Sequence, residues 1–177
     1  MARRRARTPT PTPLPAWSNQ KLRLYHGTLK TYADAIMKSG INLARCHART
    51  DFGRGIYTTT VLRQAFVWAC QLSERKPRSS PAVLVFEVDR DALAQLESIW
   101  FVRGQPDATD YWNLVVHCRS GKASHARPIG SGWYDLVIGP VTSKWAFREA
   151  FPDMDQISFH TDRAVNLLEK ANPGISP

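Results

Sequence analysis

Residues 81–88 read PAVLVFEV and form the strongest predicted strand of the chain. The run is almost continuously apolar and rich in branched and aromatic side chains, which is typical of a strand buried on both faces. We therefore expect it at the centre of a sheet. A second run, KLRLY at 21–25, alternates apolar and polar residues and predicts another strand.

Strands and helices follow one another without a regular strand–helix–strand period, and this predicts the α+β class. Further strands are expected at 56–58, 133–138 and 156–160, the middle one ended by Gly139-Pro140. Helices are expected at 32–38, 61–73, 91–96, 111–118, 143–150 and from Thr161 onward. Thr31 and Thr60 are the expected N-caps of the first two helices, and Gly40 is the expected stop of the first.

The composition suits a globular protein with an anionic partner. The chain has 177 residues, enough for one domain or one domain with a short tail. It carries 24 Lys and Arg against 15 Asp and Glu, a formal net charge of +9 at pH 7. Such a basic surface favours nucleic acid, a phosphate-bearing ligand or a membrane face as partner. The alternative is a soluble protein whose basic charge serves no specific contact.

Residues 1–18 form a compositional block of their own, in which four arginines precede four alternating prolines. Alternating proline excludes a helix, so we expect a disordered, extended arm before a folded domain at 19–173. The arm is a candidate nucleic-acid contact or localisation signal. The alternative is a disordered leader without a role, since chain termini are often disordered.

The sequence also excludes several classes of protein. No apolar run approaches the roughly 18–20 residues that cross a bilayer, so no membrane partner is expected. The N-terminus lacks the apolar core of a secretory signal. Three scattered cysteines, Cys46, Cys70 and Cys118, match neither a disulfide framework nor a CxxC zinc site. We therefore expect a cytoplasmic chain in a reducing compartment, without a metal, and leave delivery into a host cell open.

Four short segments carry the functional information, although their glycine spacing matches neither a P-loop nor a dinucleotide fingerprint. They are YHGT at 25–28, DFGRGIYTT at 51–59, WYDLVIGP at 133–140 and DQISFH at 155–160. Together, in this order, they resemble ADP-ribosyltransferases of the His-Tyr-Glu type, which include diphtheria-like toxins and poly(ADP-ribose) polymerases. The chain resembles still more a bacterial domain family of unknown function, related to those enzymes, with a His-Tyr-Gln pattern. The resemblance spans roughly residues 22–170.

The resemblance implies a split antiparallel β-core with flanking helices and with NAD bound in the cleft as co-substrate. It assigns catalytic roles to His26, Tyr57 and Gln156: His26 binds a ribose hydroxyl, Tyr57 stacks on the nicotinamide ring, and Gln156 takes the third position. Arg54 is placed to meet the pyrophosphate, and the Gly27 backbone to meet the carboxamide. The full set of residues implied to bind NAD is Tyr25, Gly27, Thr28, Arg54, Thr58, Thr59 and Phe66.

Gln156 departs from the family pattern, which usually has glutamate there. Breaking the nicotinamide–ribose bond develops positive charge on the ribose, and glutamine can orient a hydroxyl but supplies no negative charge. Three interpretations follow. The enzyme transfers a single ADP-ribose without elongation, another acid such as Asp135 or Asp155 supplies the charge, or the domain binds NAD and reacts poorly.

The leading hypothesis is therefore an NAD-dependent mono-ADP-ribosyltransferase acting on a macromolecule, either nucleic acid or protein. A toxin, phage-defence component or secreted effector is a natural setting, with an inhibitor or antitoxin as a further partner. The alternatives are an NAD glycohydrolase and a non-catalytic module that binds NAD or nucleic acid.

A basic loop either guides an anionic target or is simply solvated. Its basic residues are Arg119, Lys122, His125 and Arg127.

Overall fold

The computed structural model describes residues 21–102, 109–127, 132–170 and 174–176. The predicted arm at 1–18 and both predicted domain limits lie outside the described residues, so the domain prediction stays a prediction. The strands are β1 (Leu22–Leu29), β2 (Ile56–Thr58), β3 (Pro81–Val88), β4 (Ser98–Trp100), β5 (Leu136–Lys144), β6 (Glu149–Phe159) and β7 (Gly174–Ser176). The α-helices are α1 (Lys30–Ser39), α2 (Leu62–Glu74), α3 (Arg90–Ala94), α4 (Thr109–Arg119) and α5 (Asp162–Lys170).

The strands form two sheets, one of order β1-β3-β7 and one of order β2-β6-β5-β4. Neighbouring strands are antiparallel except for the parallel pair β4 and β5. The sheets meet at a β-bridge between Tyr25 of β1 and Thr59, just after β2. Each residue of the bridge donates its backbone N–H to the other's carbonyl at 2.9 Å. The α+β class and the mostly antiparallel core are confirmed.

The predicted central strand lies where its sequence places it. β3 runs between β1 and β7, and Leu84 and Phe86 are fully buried in the larger hydrophobic cluster, which also holds Leu24 of β1 and Phe159 of β6. A second cluster forms around Phe52 on the other side of the four-stranded sheet. These two clusters fix the sheets, and with them the strand ends that carry the predicted site.

The region 133–150 differs from the prediction. Gly139 and Pro140 do not end a strand, because β5 continues through them and pairs them with Gln156 and Asp155. The missing N–H of proline is tolerated because β5 pairs with β4 only up to Ile138, so β5 is an edge strand at Pro140. The Pro140 carbonyl accepts a bond from Tyr111 Oη at 3.0 Å. The helix predicted at 143–150 is wrong: a 3-10 turn, Trp145–Phe147, joins β5 to β6.

The helix caps agree with the prediction in part. α1 and α2 begin with Leu29 and Val61 at the N-cap and without a side-chain cap, so the roles predicted for Thr31 and Thr60 are wrong. Gly40 ends α1 with a positive φ of 78°, as expected. Thr161 does precede α5, where its hydroxyl accepts a bond from Ala164 N at 3.3 Å.

Candidate active site

The three predicted catalytic residues lie on three laterally adjacent strands. His26 follows the bridge residue Tyr25 on β1, Tyr57 lies on β2, and Gln156 lies on β6. β2 pairs with β6 so that Tyr57 faces Ser158, which places the Tyr57 and Gln156 side chains on the same face of the sheet. The fold thus brings the three segments together at the junction of the two sheets.

His26 is held in one tautomer. Its Nδ1 lies 2.7 Å from the Tyr57 carbonyl, which only accepts, so Nδ1 carries the proton and Nε2 is an acceptor. Burial lowers the pKa of His26, so the ring is neutral at neutral pH. Nε2 has no hydrogen-bond partner among the described residues. Every buried side-chain nitrogen and oxygen of these residues does have a partner, so Nε2 is not buried and faces solvent.

Tyr57 anchors the turn that precedes it. Its hydroxyl donates to the Gly53 carbonyl at 2.8 Å, accepts from Phe52 N at 2.9 Å and lies 2.7 Å from Thr50 Oγ1. Burial raises the pKa of Tyr57 well above its usual value, so it stays un-ionised. The ring stacks on Phe52 with centroids 6.4 Å apart and is partly exposed. The stacking of Tyr57 on nicotinamide stays a prediction. The hydrogen bonds of its hydroxyl hold the ring in one position.

Gln156 is held by a residue to which the sequence analysis gave no role. Its Nε2 donates to Asp51 Oδ2 at 2.8 Å and to the Pro140 carbonyl at 2.7 Å. Both partners only accept, so the amide orientation is fixed and Oε1 points away from them. Oε1 has no partner within the described ranges and, by the same reasoning as for His26, reaches solvent.

Asp51 is the centre of a buried polar network and is itself only 3% exposed. Arg119 donates to its Oδ1 from Nε at 2.9 Å and from Nη2 at 2.5 Å. Thr142 donates from Oγ1 to Oδ1 at 2.6 Å and from its backbone N to Oδ2 at 2.9 Å. With Gln156, Asp51 receives five hydrogen bonds, a number that compensates the cost of burying its charge.

The two acids that were expected to help Gln156 both make structural contacts. Asp135 accepts from Glu97 N at 3.0 Å and from the Thr161 hydroxyl, which joins β5 to the start of α5. Asp155 accepts from the hydroxyls of Thr59 and Thr60 and from Thr60 N at 3.1 Å. Asp155 is the neighbour of Gln156 along β6, but adjacent residues of a strand face opposite sides.

The residues implied to bind NAD differ in their surroundings. A Cβ on Gly27 would lie 2.0 Å from the Ala65 carbonyl oxygen, so glycine is needed there for α2 to pack on β1. Thr58 Oγ1 donates to the Ile157 carbonyl at 2.9 Å. Thr28 and Thr59 are buried, Tyr25 is partly buried and Phe66 is 48% exposed. Their contacts with NAD stay predictions.

Arg54 lines a cavity of about 350 Å³ beside this site. The other lining residues are Leu43, Ala44, Ala48, Gly121, Lys122, Ala123, Trp133 and His160. The His160 ring meets the Tyr57 ring edge-on, with centroids 6.1 Å apart, which connects the cavity to the predicted site. Arg54 and Lys122 have no acidic partner in the part of the chain that the structure describes.

The basic loop predicted around Arg119 divides into different environments. Arg119 pairs with Asp51, and Arg127 pairs with Glu97 at 2.5 Å, so both are engaged within the fold. Lys122 lines the cavity. His125 is buried between the Phe52 carbonyl and Tyr134 N, and burial lowers its pKa to about 4. Only Lys122 among these four is available to an anionic ligand in the way expected.

Two relationships were not predicted from the sequence: the contact of Asp51 with Gln156 and the cavity that Lys122 shares with Arg54. Asp51 stands in the quoted segment 51–59, but a carboxylate before a glycine-rich turn has no spacing that reveals its partner 105 residues later. Lys122 was seen as part of a basic loop, without a partner for its charge.

The described residues hold no group of three or more His, Cys, Asp or Glu side chains arranged to bind a metal. None of the helices in the described ranges has the length and apolar character that a membrane crossing requires.

The chain matches the model of a protein family. A family model described as "Protein of unknown function (DUF3990)" matches residues 22–151, more than half of the 177-residue chain. No curated protein and no solved structure matches the chain. The match covers the segments around His26, Tyr57 and Gly139-Pro140 and stops before Gln156.

Proposed function

The chain belongs to the DUF3990 family, a family of unknown function, and we propose that it is an NAD-dependent mono-ADP-ribosyltransferase. The observation that carries the proposal is the placement of His26, Tyr57 and Gln156 on the adjacent strands β1, β2 and β6. These residues come from three distant parts of the sequence. The resemblance implied that they act together, and their placement at one sheet junction supports this role.

In the proposed reaction, the bond between ribose C1′ and the nicotinamide nitrogen breaks, and its electron pair leaves with neutral nicotinamide. C1′ then bonds to an oxygen or nitrogen of the acceptor, which releases a proton to solvent. Positive charge develops on the ribose before the new bond is complete. The protein therefore needs fixed acceptors for the ribose hydroxyls and a surface that holds the leaving ring.

The two solvent-facing acceptors match the first requirement. His26 Nε2 and Gln156 Oε1 are each fixed by hydrogen bonds on the other side of their group, to Tyr57 and to Asp51 with Pro140. Hydroxyl groups donate to such acceptors, and no rearrangement of either side chain is needed on binding. The partly exposed ring of Tyr57, locked through its hydroxyl, is suited to the second requirement.

The cavity lined by Arg54 and Lys122 supports binding of the rest of NAD. Its volume of about 350 Å³ lies within the usual range for a small-molecule pocket. A guanidinium and an ammonium without acidic partners there match the two charges of a pyrophosphate. Arg49, whose side chain lies beside Gly121 of the cavity wall, adds a further positive charge. The net charge of +9 favours a nucleic-acid acceptor over a protein one.

A second candidate, a module that binds NAD without transferring ADP-ribose, rests on the engagement of the acids. Among the described residues, Asp51, Asp135 and Asp155 are all tied into hydrogen-bond networks. None of the three presents an unpartnered carboxylate to a bound ribose. On this view the fixed acceptors orient NAD but do not stabilise its transition state.

The test is incubation of the purified chain with NAD labelled in its ADP-ribose part, alone and with RNA, DNA or cell protein. Label in a polymer supports transfer, and free ADP-ribose without labelled polymer supports hydrolysis by water instead. Binding without release of nicotinamide supports the second candidate. His26→Ala should abolish release, whereas His47→Ala, at an exposed histidine, should not. Equal loss in both variants contradicts the assignment of the site.

A further inference from the structure

We infer that Asp51 is a positioning residue, which fixes the Gln156 amide with its carbonyl oxygen toward the substrate. The inference rests on the proposed function, because it concerns the third residue of the same site. It gives a reason for glutamine at position 156: the Asp51 carboxylate is already present, on the side of Gln156 that faces away from the substrate.

The first argument is the direction of the amide. A glutamine side chain can present either its oxygen or its NH₂ group, and only the oxygen accepts from a ribose hydroxyl. Asp51 Oδ2 at 2.8 Å and the Pro140 carbonyl at 2.7 Å together take both N–H bonds of Gln156. Turning the amide over would place its oxygen against two acceptors. Asp51 thereby excludes the orientation that has no use in the reaction.

The second argument is the rigidity of Asp51 itself. Its carboxylate cannot turn away from Gln156, because Arg119 and the Thr142 hydroxyl hold Oδ1 while Thr142 N holds Oδ2. Hydrogen bonds to a charged acceptor in a buried site are the stronger ones, and they polarise the groups they meet. The amide oxygen of Gln156 is therefore more negative than that of a free glutamine, although Arg119 offsets part of the carboxylate charge.

The third argument concerns glutamate at position 156. Gln156→Glu would bring a second carboxylate to the 2.8 Å contact with Asp51 and would turn an acceptor toward the Pro140 carbonyl. Two carboxylates at this distance do not both stay ionised, so the variant must bind a proton or open the site. The residue typical of related enzymes is thus expected to work here only when Asp51 is also changed.

The test compares the wild type with Asp51→Asn, Gln156→Glu, the double variant and the control Asp34→Asn. Asp34 is an exposed residue of α1 whose carboxylate meets Lys30. In Asp51→Asn the new NH₂ group faces either Arg119 or Gln156. When it faces Gln156, it donates to the amide oxygen of Gln156 and so turns that oxygen away from the substrate. The double variant restores an outward acceptor, because the two oxygens of the carboxylate introduced at position 156 are equivalent.

For nicotinamide release, Asp51→Asn should lower kcat by about tenfold or more, the loss of one oriented hydrogen bond, with the KM for NAD changing less. Gln156→Glu should fall below the wild type, and the double variant should exceed Asp51→Asn. Asp34→Asn should match the wild type. Full kcat in Asp51→Asn, a gain in Gln156→Glu alone, or no recovery in the double variant overturns the inference.

A second measurement does not depend on activity, so that failure of the proposed function leaves the inference testable. The side-chain NH₂ of Gln156, assigned in the NMR spectrum by its absence in Gln156→Glu, should exchange more slowly with water than that of the exposed Gln71. Asp51→Asn should accelerate this exchange and Asp34→Asn should not. Fast exchange in the wild type overturns the inference, whether or not the chain releases nicotinamide.

Discussion

Asp51 Oδ2 lies 2.8 Å from Gln156 Nε2, across 105 residues of sequence. This contact joins the turn before β2 to the strand β6, and it determines which atom of Gln156 faces outward. A carboxylate, the group that the resemblance usually implies at position 156, is thus hydrogen-bonded to the amide nitrogen of Gln156. The support that Thr142 gives to Asp51 can be tested directly.

The first prediction concerns the support of Asp51 by Thr142. Thr142→Val keeps the shape of the side chain and the backbone bond but removes the hydroxyl that donates to Oδ1 at 2.6 Å. Because this bond meets a buried charge, we expect the free energy of unfolding to fall by about 1–3 kcal/mol in urea titrations. Thr31→Val on the exposed surface of α1 is the control and should change it by less than about 0.5 kcal/mol. Equal effects in the two variants contradict the prediction.

The second prediction concerns the packing of α2 on β1. Gly27→Ala would place a methyl group 2.0 Å from the Ala65 carbonyl oxygen, so the helix must move. We expect a loss of stability of about 2 kcal/mol or more, measured by thermal or urea unfolding. Gly139→Ala is the matched control, since its Cβ would lie 3.1 Å from Phe52 Cζ and 3.2 Å from Phe101 Cβ, distances that require much smaller shifts than 2.0 Å. A smaller loss for Gly27→Ala than for Gly139→Ala is the contrary outcome.

The third prediction concerns acid stability. Burial lowers the pKa of His125 to about 4 and that of His160 to about 3, whereas both titrate near 6.5 in the unfolded chain. Between these values the unfolded state binds more protons than the folded state. Stability is therefore full above pH 6.5 and decreases as the pH falls toward 4, by at most about 1.4 kcal/mol per pH unit for each histidine.

The measurement is the free energy of unfolding in urea from about pH 7 to about pH 4.5, a range that spans most of this window. His160→Gln keeps a donor for the Arg54 carbonyl and an acceptor for Ser158, so it should fold and show a shallower decrease. His47→Gln, at an exposed histidine, should keep the wild-type slope. The same slope in all three proteins would mean that His160 does not contribute to the acid sensitivity.

The fourth prediction concerns the cavity. Arg54→Ala and Lys122→Ala each remove one cation that lines it. If the pyrophosphate of NAD binds there, each change should raise the KM or Kd for NAD by about tenfold or more, as expected for a lost charge-assisted hydrogen bond. Arg45→Ala, an exposed change outside the lining, should alter the value by less than about threefold. Unchanged affinity in both cavity variants excludes this position for the pyrophosphate.

Local sequence signals predicted much of the fold. The apolar run of β3 and the helical spacing of α2 and α4 are each determined by residues close in sequence. The hairpin at 139–150 was not predictable in this way. Its pairs, such as Lys144 with Glu149, and the bond from Tyr111 to Pro140 depend on tertiary contacts that outweigh the local preference of proline and glycine.

The sequence predicted that the segments around His26, Tyr57 and Gln156 lie close together, but not the contacts that connect them. The short segments around His26, Tyr57 and Gln156 were found because their residue types occur in a recognisable order. The contacts of Asp51 with Thr142 and Gln156 span 91 and 105 residues, so they follow from the fold rather than from any local pattern. For the same reason the engagement of Asp135 and Asp155 in structural contacts could be seen only in three dimensions.

The proposed function depends on one site, in which His26, Tyr57 and Gln156 together break the nicotinamide–ribose bond. Its most direct test is the rate of nicotinamide release from NAD by the purified chain with cell RNA, DNA and protein present. We expect release by the wild type, with label transferred to a polymer, and none by His26→Ala. No release by the wild type under any of these conditions, or full release by His26→Ala, would contradict it.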